Sequence, residues 1–210
     1  MHSQCAGHDA QQKLAFSDAA SRGGDLFVSA FEFFFSFFGL ILGLSVAEVM
    51  TGLARVLKRR NRIKLGYVTP LLAGLLLLDL ASFWSNTWEM MQHIQISLHL
   101  LIVGVVVAGT YFLAASLVFP DDIDEWPSLD AFYDTHKRWV VGGVWLANMV
   151  SGIGFTAFVT TPEEFWPNMV STDSLITVST FSAIMGGAAF IRDHRINAAF
   201  FVAGMATYLF

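Results

Sequence analysis

The stretch Tyr67-Val-Thr-Pro-Leu-Leu-Ala-Gly-Leu-Leu-Leu-Leu-Asp79-Leu-Ala-Ser-Phe-Trp-Ser-Asn-Thr-Trp88 decides the fold. As a helix it is about 33 Å long at 1.5 Å per residue, enough to cross about 30 Å of hydrocarbon. Its one charged member, Asp79, falls about 13 Å from the Trp88 end at that rise, near the midplane. A charge at that depth costs at least a few kcal/mol unless it turns inward toward other polar groups. One sentence of sequence therefore predicts a membrane helix and a polar interior for it to face.

Working outward, similar apolar windows lie at 26–57, 94–119, 139–160, 172–191 and 196–210. The expected fold is all-α: a six-helix transmembrane bundle over 26–210, preceded by a polar tail over 1–25. The last window is short and would cross only a thinned region, or else continue beyond the sequence given. The tail has no apolar h-region, so no cleavable secretory signal is expected.

Composition agrees, with 55% hydrophobic residues and only 14% charged, against about 25% charged in soluble domains. A water-soluble globule and a disordered chain are both poor fits. The net charge of −5 offers no basic excess for a polyanion, so no nucleic-acid partner is expected. A single cysteine, Cys5, excludes an intrachain disulfide, a thiolate zinc cluster and a c-type haem attachment. No phosphate-binding loop, nucleophile elbow or His-Glu-x-x-His pattern is present, and His99 is the single histidine well inside a span. No cofactor is expected, and an enzyme is not the leading reading.

Lys and Arg set the orientation, because cytoplasmic loops retain them. The first loop holds Arg55, Lys58, Arg59, Arg60, Arg62 and Lys64 with no acid among them. With six alternating spans, Lys137, Arg138, Arg192 and Arg195 fall on the same side, and only Lys13 and Arg22 on the other. Both termini are expected outside. The first loop is expected to meet anionic lipid headgroups, or a soluble partner. The segment 120–138 opens acidic, and Ser128 caps a helix near 128–138 whose Leu129, Phe132, Tyr133 and His136 share a face suited to the cytoplasmic interface. Asp130, Asp134, His136 and His194 have a spacing that allows a metal site without any diagnostic pattern.

Helices in lipid are held by small residues and interhelical hydrogen bonds. Gly39 and Gly43 stand four apart on span one, Gly143 leads Ala147 and Ser151 on span four, and Gly187 follows Ser179 and Ala183 on span five. These spacings suit packing within one chain and equally a homo-oligomer or larger membrane complex. The phenylalanines at 31–38 read as lipid contacts at the interface.

Polar residues form stripes: Ser45, Glu48, Gly52 and Arg55; Asp79, Ser82 and Asn86; Gln92, Gln95, His99 and Thr110; Asn148, Ser151 and Gly152; Asp173, Thr177 and Thr180. If these faces meet, they enclose a polar cavity centred on Asp79 and His99, with Asn86, Gln95 and Asn148 as neutral partners. The alternative is that the groups only satisfy one another as glue between helices. Glu48, at the inner end of span one, is expected in the same polar interior with Tyr111 as its partner, and reaches Arg55 only if that side chain folds back over two turns.

The run Gly39-Leu-Ile-Leu-Gly-Leu-Ser-Val-Ala-Glu48, continuing Thr51-Gly-Leu-Ala-Arg55, with Phe119-Pro-Asp-Asp122 leading to Tyr133 and Arg138, resembles uncharacterised bacterial multispanning inner-membrane proteins. The resemblance implies a bacterial inner membrane and carries no activity. The residues themselves favour a small transporter or channel-like protein, or its membrane subunit, moving a proton or small solute. A structural or accessory subunit of a larger complex is the alternative, and an intramembrane enzyme comes third.

Overall fold

The computed structural model describes residues 30–61, 64, 66–91 and 97–209. The polar tail with Cys5, Lys13 and Arg22, and the later residues Arg62, Gln92, His93 and Gln95, lie outside the described residues. Among these residues there are seven α-helices: α1 (Ala30–Lys58), α2 (Val68–Met91), α3 (Leu98–Ser116), α4 (Leu129–Val159), α5 (Pro162–Met169), α6 (Thr172–Phe190) and α7 (His194–Leu209). Five of them, α1, α2, α3, α4 and α6, are long and apolar enough to cross a membrane. α7 has 16 residues, about 24 Å of helix, and falls short of that length.

Local chemistry sets the helix ends. Ser97, Ser128 and Ser171 each turn a hydroxyl oxygen onto a backbone N–H of the following turn, at Leu100, Ala131 and Ser174, which satisfies a donor that has no partner inside the helix. Pro70 sits in the first turn of α2, where its missing N–H is harmless. Arg55 and Lys58 occupy the last turn of α1, where cations oppose the helix dipole. The segment read as a separate interfacial helix forms the first turns of α4 and runs without a break into the span. α5, in the connector between α4 and α6, begins where the Glu164 carboxylate accepts from the Thr161 N–H and hydroxyl.

The long helices form a ring in the order α1, α3, α4, α6, α7, α2 and back to α1, with α2 also meeting α4 across the middle. Phe38, Phe83, Tyr111 and Phe155 stack through the core at centroid distances of 5.7, 5.2 and 6.4 Å about Phe83. The phenylalanines of α1 divide by helical phase: Phe34, Phe35 and Phe38 are buried, and Phe33 and Phe37 face outward. The reading of the whole run as lipid contact is thus corrected for its inward half.

Three of the four packing glycines touch a neighbour where a Cβ would stand. Gly39 lies under the Trp84 ring, Gly143 against Ala114, and Gly187 against the Phe200 ring. Gly43 meets open space. One turn of helix separates Gly39 from Gly43, so a shared spacing still leaves one glycine inside the bundle and the other on its surface.

Cations gather at one end. Arg55 donates to the carbonyls of Pro120 and Asp121, each at 3.2 Å, and Arg59 meets Asp124 at 2.8 Å and Asp122 at 3.7 Å. The Leu129 N–H donates to the Lys64 carbonyl at 3.4 Å, joining the first loop to the start of α4. Lys137 is buried and donates to the Ile191 carbonyl at 2.6 Å, a carbonyl that also accepts from Asn197 at 3.1 Å. His194 meets Asp134 at 3.1 Å. The end of α1, the end of α3, the start of α4, the end of α6 and the start of α7 therefore lie together, as strict up-and-down alternation requires. Lys58, Arg60 and Lys64 are exposed beside them.

Candidate functional site

Asp79 is the deepest charged group of the core, 1% exposed at the middle of α2. Four helices converge on it. Asn148 of α4 turns its amide nitrogen onto both carboxylate oxygens, at 3.3 and 3.2 Å. Tyr208 of α7 donates its hydroxyl to Oδ1 at 2.6 Å. Tyr111 of α3, fully buried, accepts from the same Asn148 nitrogen at 2.9 Å. The site lies on the two helices, α2 and α4, that meet across the ring.

Above Asp79, toward the Met91 end of α2, opens a cavity of about 260 Å³ lined by Ser82, Asn86, Thr87, Asn148, Ser151 and Thr156, among others. Its α2 wall is the ladder Asp79, Ser82, Asn86, three and seven residues apart, which one helical face must carry. Exposure rises along that ladder: Asp79 is buried, Ser82 half-buried and Asn86 exposed. In the other direction Leu72, Leu75, Leu76, Val141, Val144 and Met185 close ranks and leave no room for water. The cavity is a one-ended well with a carboxylate at its foot.

Donors at that foot are neutral ones. A carboxylate has about four acceptor sites. The Asn148 NH₂ group has two hydrogens, and four acceptors lie within its range: both Asp79 oxygens, the Tyr111 hydroxyl and the Val144 carbonyl at 3.0 Å. Two hydrogens cannot serve four acceptors at once. Among the described residues no Lys, Arg or His lines the cavity. The Tyr208 and Tyr111 hydroxyls are the other donors to the carboxylate, so its partners among the described residues are all neutral, and the well above it has room for a water, a bound proton, or a solute bearing N–H or O–H groups.

The expected site residues separate in space. Asp79, Asn86 and Asn148 line the same well. His99 is exposed in the first turn of α3 and does not line it, and Thr110 returns its hydroxyl to the Val106 carbonyl of its own helix. Asp173, Thr177 and Thr180 of α6 are exposed as well. The pairing of Asp79 with His99 at one centre is therefore replaced by Asp79 with Asn148, Tyr111 and Tyr208. Helical spacing shows which residues share a face, but the direction that face turns is decided by its neighbours. Glu48 stands apart at the cation-rich end, where Arg55 does fold back to 3.7 Å, and Tyr111, its expected partner, belongs to the Asp79 group. Of the spaced carboxylates and histidines at the start of α4, only Asp134 and His194 are joined, and His136 stacks on Phe132 at 4.1 Å.

Tyr208 escaped the sequence reading although a signal exists. Asn197, Phe201, Gly204 and Tyr208 recur at steps of four, three and four along α7, the first three are buried and Tyr208 is half-buried, so its phenol had to come inward. No family model matches the chain, and neither a curated protein nor a solved structure matches it.

Proposed function

We propose that this is a six-span membrane protein of a bacterial inner membrane, with its cation-rich end in the cytoplasm and both termini outside. In this reading it is a small transporter or channel-like protein, or the membrane subunit of one, and handles a proton or a small solute at Asp79. The observation that carries the reading is a buried carboxylate held only by neutral donors at the foot of a polar well. A carboxylate kept solely for packing is more cheaply replaced by an apolar side chain of similar size. The positive-inside distribution supports the sidedness, and opens the well to the outside. The close-packed apolar plug beneath Asp79 is then the barrier that a transport cycle must part. α7 is the sixth span, short enough to require local thinning of the bilayer.

Purified protein in liposomes loaded with a pH-sensitive dye tests the proton form of the proposal. Under an imposed membrane potential the wild type should acidify the lumen at least about tenfold faster than Asp79→Asn, which keeps the shape and removes the charge. Equal rates for a folded Asp79→Asn would overturn it for protons, and screening small amines and amides for uptake in the same vesicles tests the solute form.

One observation favours a second reading, as a structural or accessory subunit. Ser36, Leu40, Gly43, Ala47 and Met50 lie on one side of α1 and are exposed, with nothing above Gly43. Such a seam of small residues suits a second helix. Gly43→Leu should then dissociate an oligomer while leaving the monomer folded, whereas Gly39→Leu should collide with Trp84 and weaken the monomer itself.

A further inference from the structure

Away from Asp79, the outer side of the α4–α6 pair carries a crevice with two chemically distinct halves. The half at membrane depth is a groove of about 330 Å³ lined by Val141, Gly142, Trp145, Met185, Gly186 and Ala189. Gly142 and Gly186 leave it open, since a Cβ on either would meet nothing within 4 Å. Trp145 spans its far end, donating its indole N–H to Ser182 of α6 at 2.9 Å. The other half is a polar recess of about 450 Å³ that contains Asp134, Lys137, Arg138 and Arg192. Arg138 and Phe190 belong to both halves, so the two are continuous.

Charge in the recess is unbalanced. Its acid, Asp134, is met by His194 at 3.1 Å and by Lys137 at 3.7 Å. Lys137 also donates to the Ile191 carbonyl. Arg138 lies over the Phe190 ring, 5.4 Å from its centroid, a placement that leaves the edge of the guanidinium free to donate. Among the described residues neither Arg138 nor Arg192 forms an ion pair. Two exposed guanidiniums stand at the mouth of an apolar groove, about 10 Å of helix from Arg138 to Trp145.

We infer that this crevice is a binding site for one anionic phospholipid of the cation-side leaflet, with its phosphate on Arg138 and Arg192 and the upper part of an acyl chain in the Gly142–Gly186 groove. A free phosphate would use only the recess and leave the groove empty. A zwitterionic lipid would fill the groove but neutralise its own phosphate. An anionic lipid matches both halves, because bidentate guanidinium contacts suit phosphate and the small residues admit a chain. The site is separate from the Asp79 well and does not depend on what that well carries.

Native mass spectrometry of the detergent-solubilised protein, titrated with phosphatidylglycerol, phosphatidylcholine or inorganic phosphate, tests the assignment. Phosphatidylglycerol should be retained as one tight adduct, at least about tenfold more strongly than phosphatidylcholine, and inorganic phosphate should not compete. Arg138→Gln with Arg192→Gln should erase the preference between the two lipids. Gly186→Leu, whose side chain enters open space, should weaken retention of phosphatidylglycerol at least about tenfold by filling the groove while leaving the lipid-free melting point unchanged. Asp79→Asn should retain the lipid as the wild type does. Equal retention of the two lipids by the wild type, competition by inorganic phosphate, or undiminished binding by a folded Gly186→Leu would each overturn the site.

Discussion

At the cation-rich end of the bundle, Arg55, Arg59, Lys137 and His194 each meet a carboxylate or carbonyl from a distant part of the chain, whereas at mid-bundle Asp79 meets only an amide and phenols. The first arrangement is complete on its own: opposite charges close loops and hold helix ends together. The second has no opposite charge: among the described residues the buried carboxylate is met by an amide and two phenols alone. Ion pairs at the exposed end cost little to form and contribute little. A buried group with neutral partners is expensive to keep, and that contrast is what supports the proposal of Asp79 as a site rather than a strut.

The contrast can be broken by mutation, and the largest effect belongs at Asn148. Asn148→Leu removes the donor that straddles both Asp79 oxygens, and should lower unfolding stability by about 2–3 kcal/mol, read from thermal melts in detergent. The double variant Asp79→Leu with Asn148→Leu should recover most of that loss, since two apolar groups leave nothing unsatisfied. Lys137→Met comes next, at about 1–2 kcal/mol, because the Ile191 carbonyl keeps its bond from Asn197 and loses only one donor. Tyr208→Phe should cost about 1 kcal/mol in the same melts, and should slow proton or solute movement more than it lowers stability. The smallest effect is at Arg59→Ala, below about 1 kcal/mol and vanishing at high salt, as for other exposed pairs. If Arg59→Ala cost as much as Asn148→Leu, the two ends would not differ in the way described.

Sequence carried the helical fold and much of the site, for reasons visible in single residues. Asp79 stands out because a charge amid leucines has one tolerable environment, and Asn86 and Asn148 follow from their place on polar faces. Ser128 at a cap position announces the start of α4. The tyrosines were not legible in the same way: Tyr111 and Tyr208 sit among apolar neighbours and read as bulk until the helices are placed side by side. His99 shows the reverse error, a polar residue at plausible depth on a face that turns outward. Phase along one helix is a local property, whereas the direction of a face is set by α2, α4 and α7 packing together, and no single window contains that information. The basic first loop illustrates it too, since Arg55 and Arg59 are engaged by the acidic run that begins at Pro120, and only the folded chain brings the two segments together.

The central claim, a hydrated well that opens at the Met91 end of α2 and is sealed beneath Asp79, meets its most direct test in thiol accessibility. With Cys5 replaced by serine, Ser82→Cys in inverted and right-side-out vesicles should react with a membrane-impermeant maleimide from the external side alone. Leu76→Cys, one turn below Asp79 in the close-packed plug, should resist the reagent from both. Labelling of Ser82→Cys from the cytoplasmic side, or no labelling from either, would contradict the account.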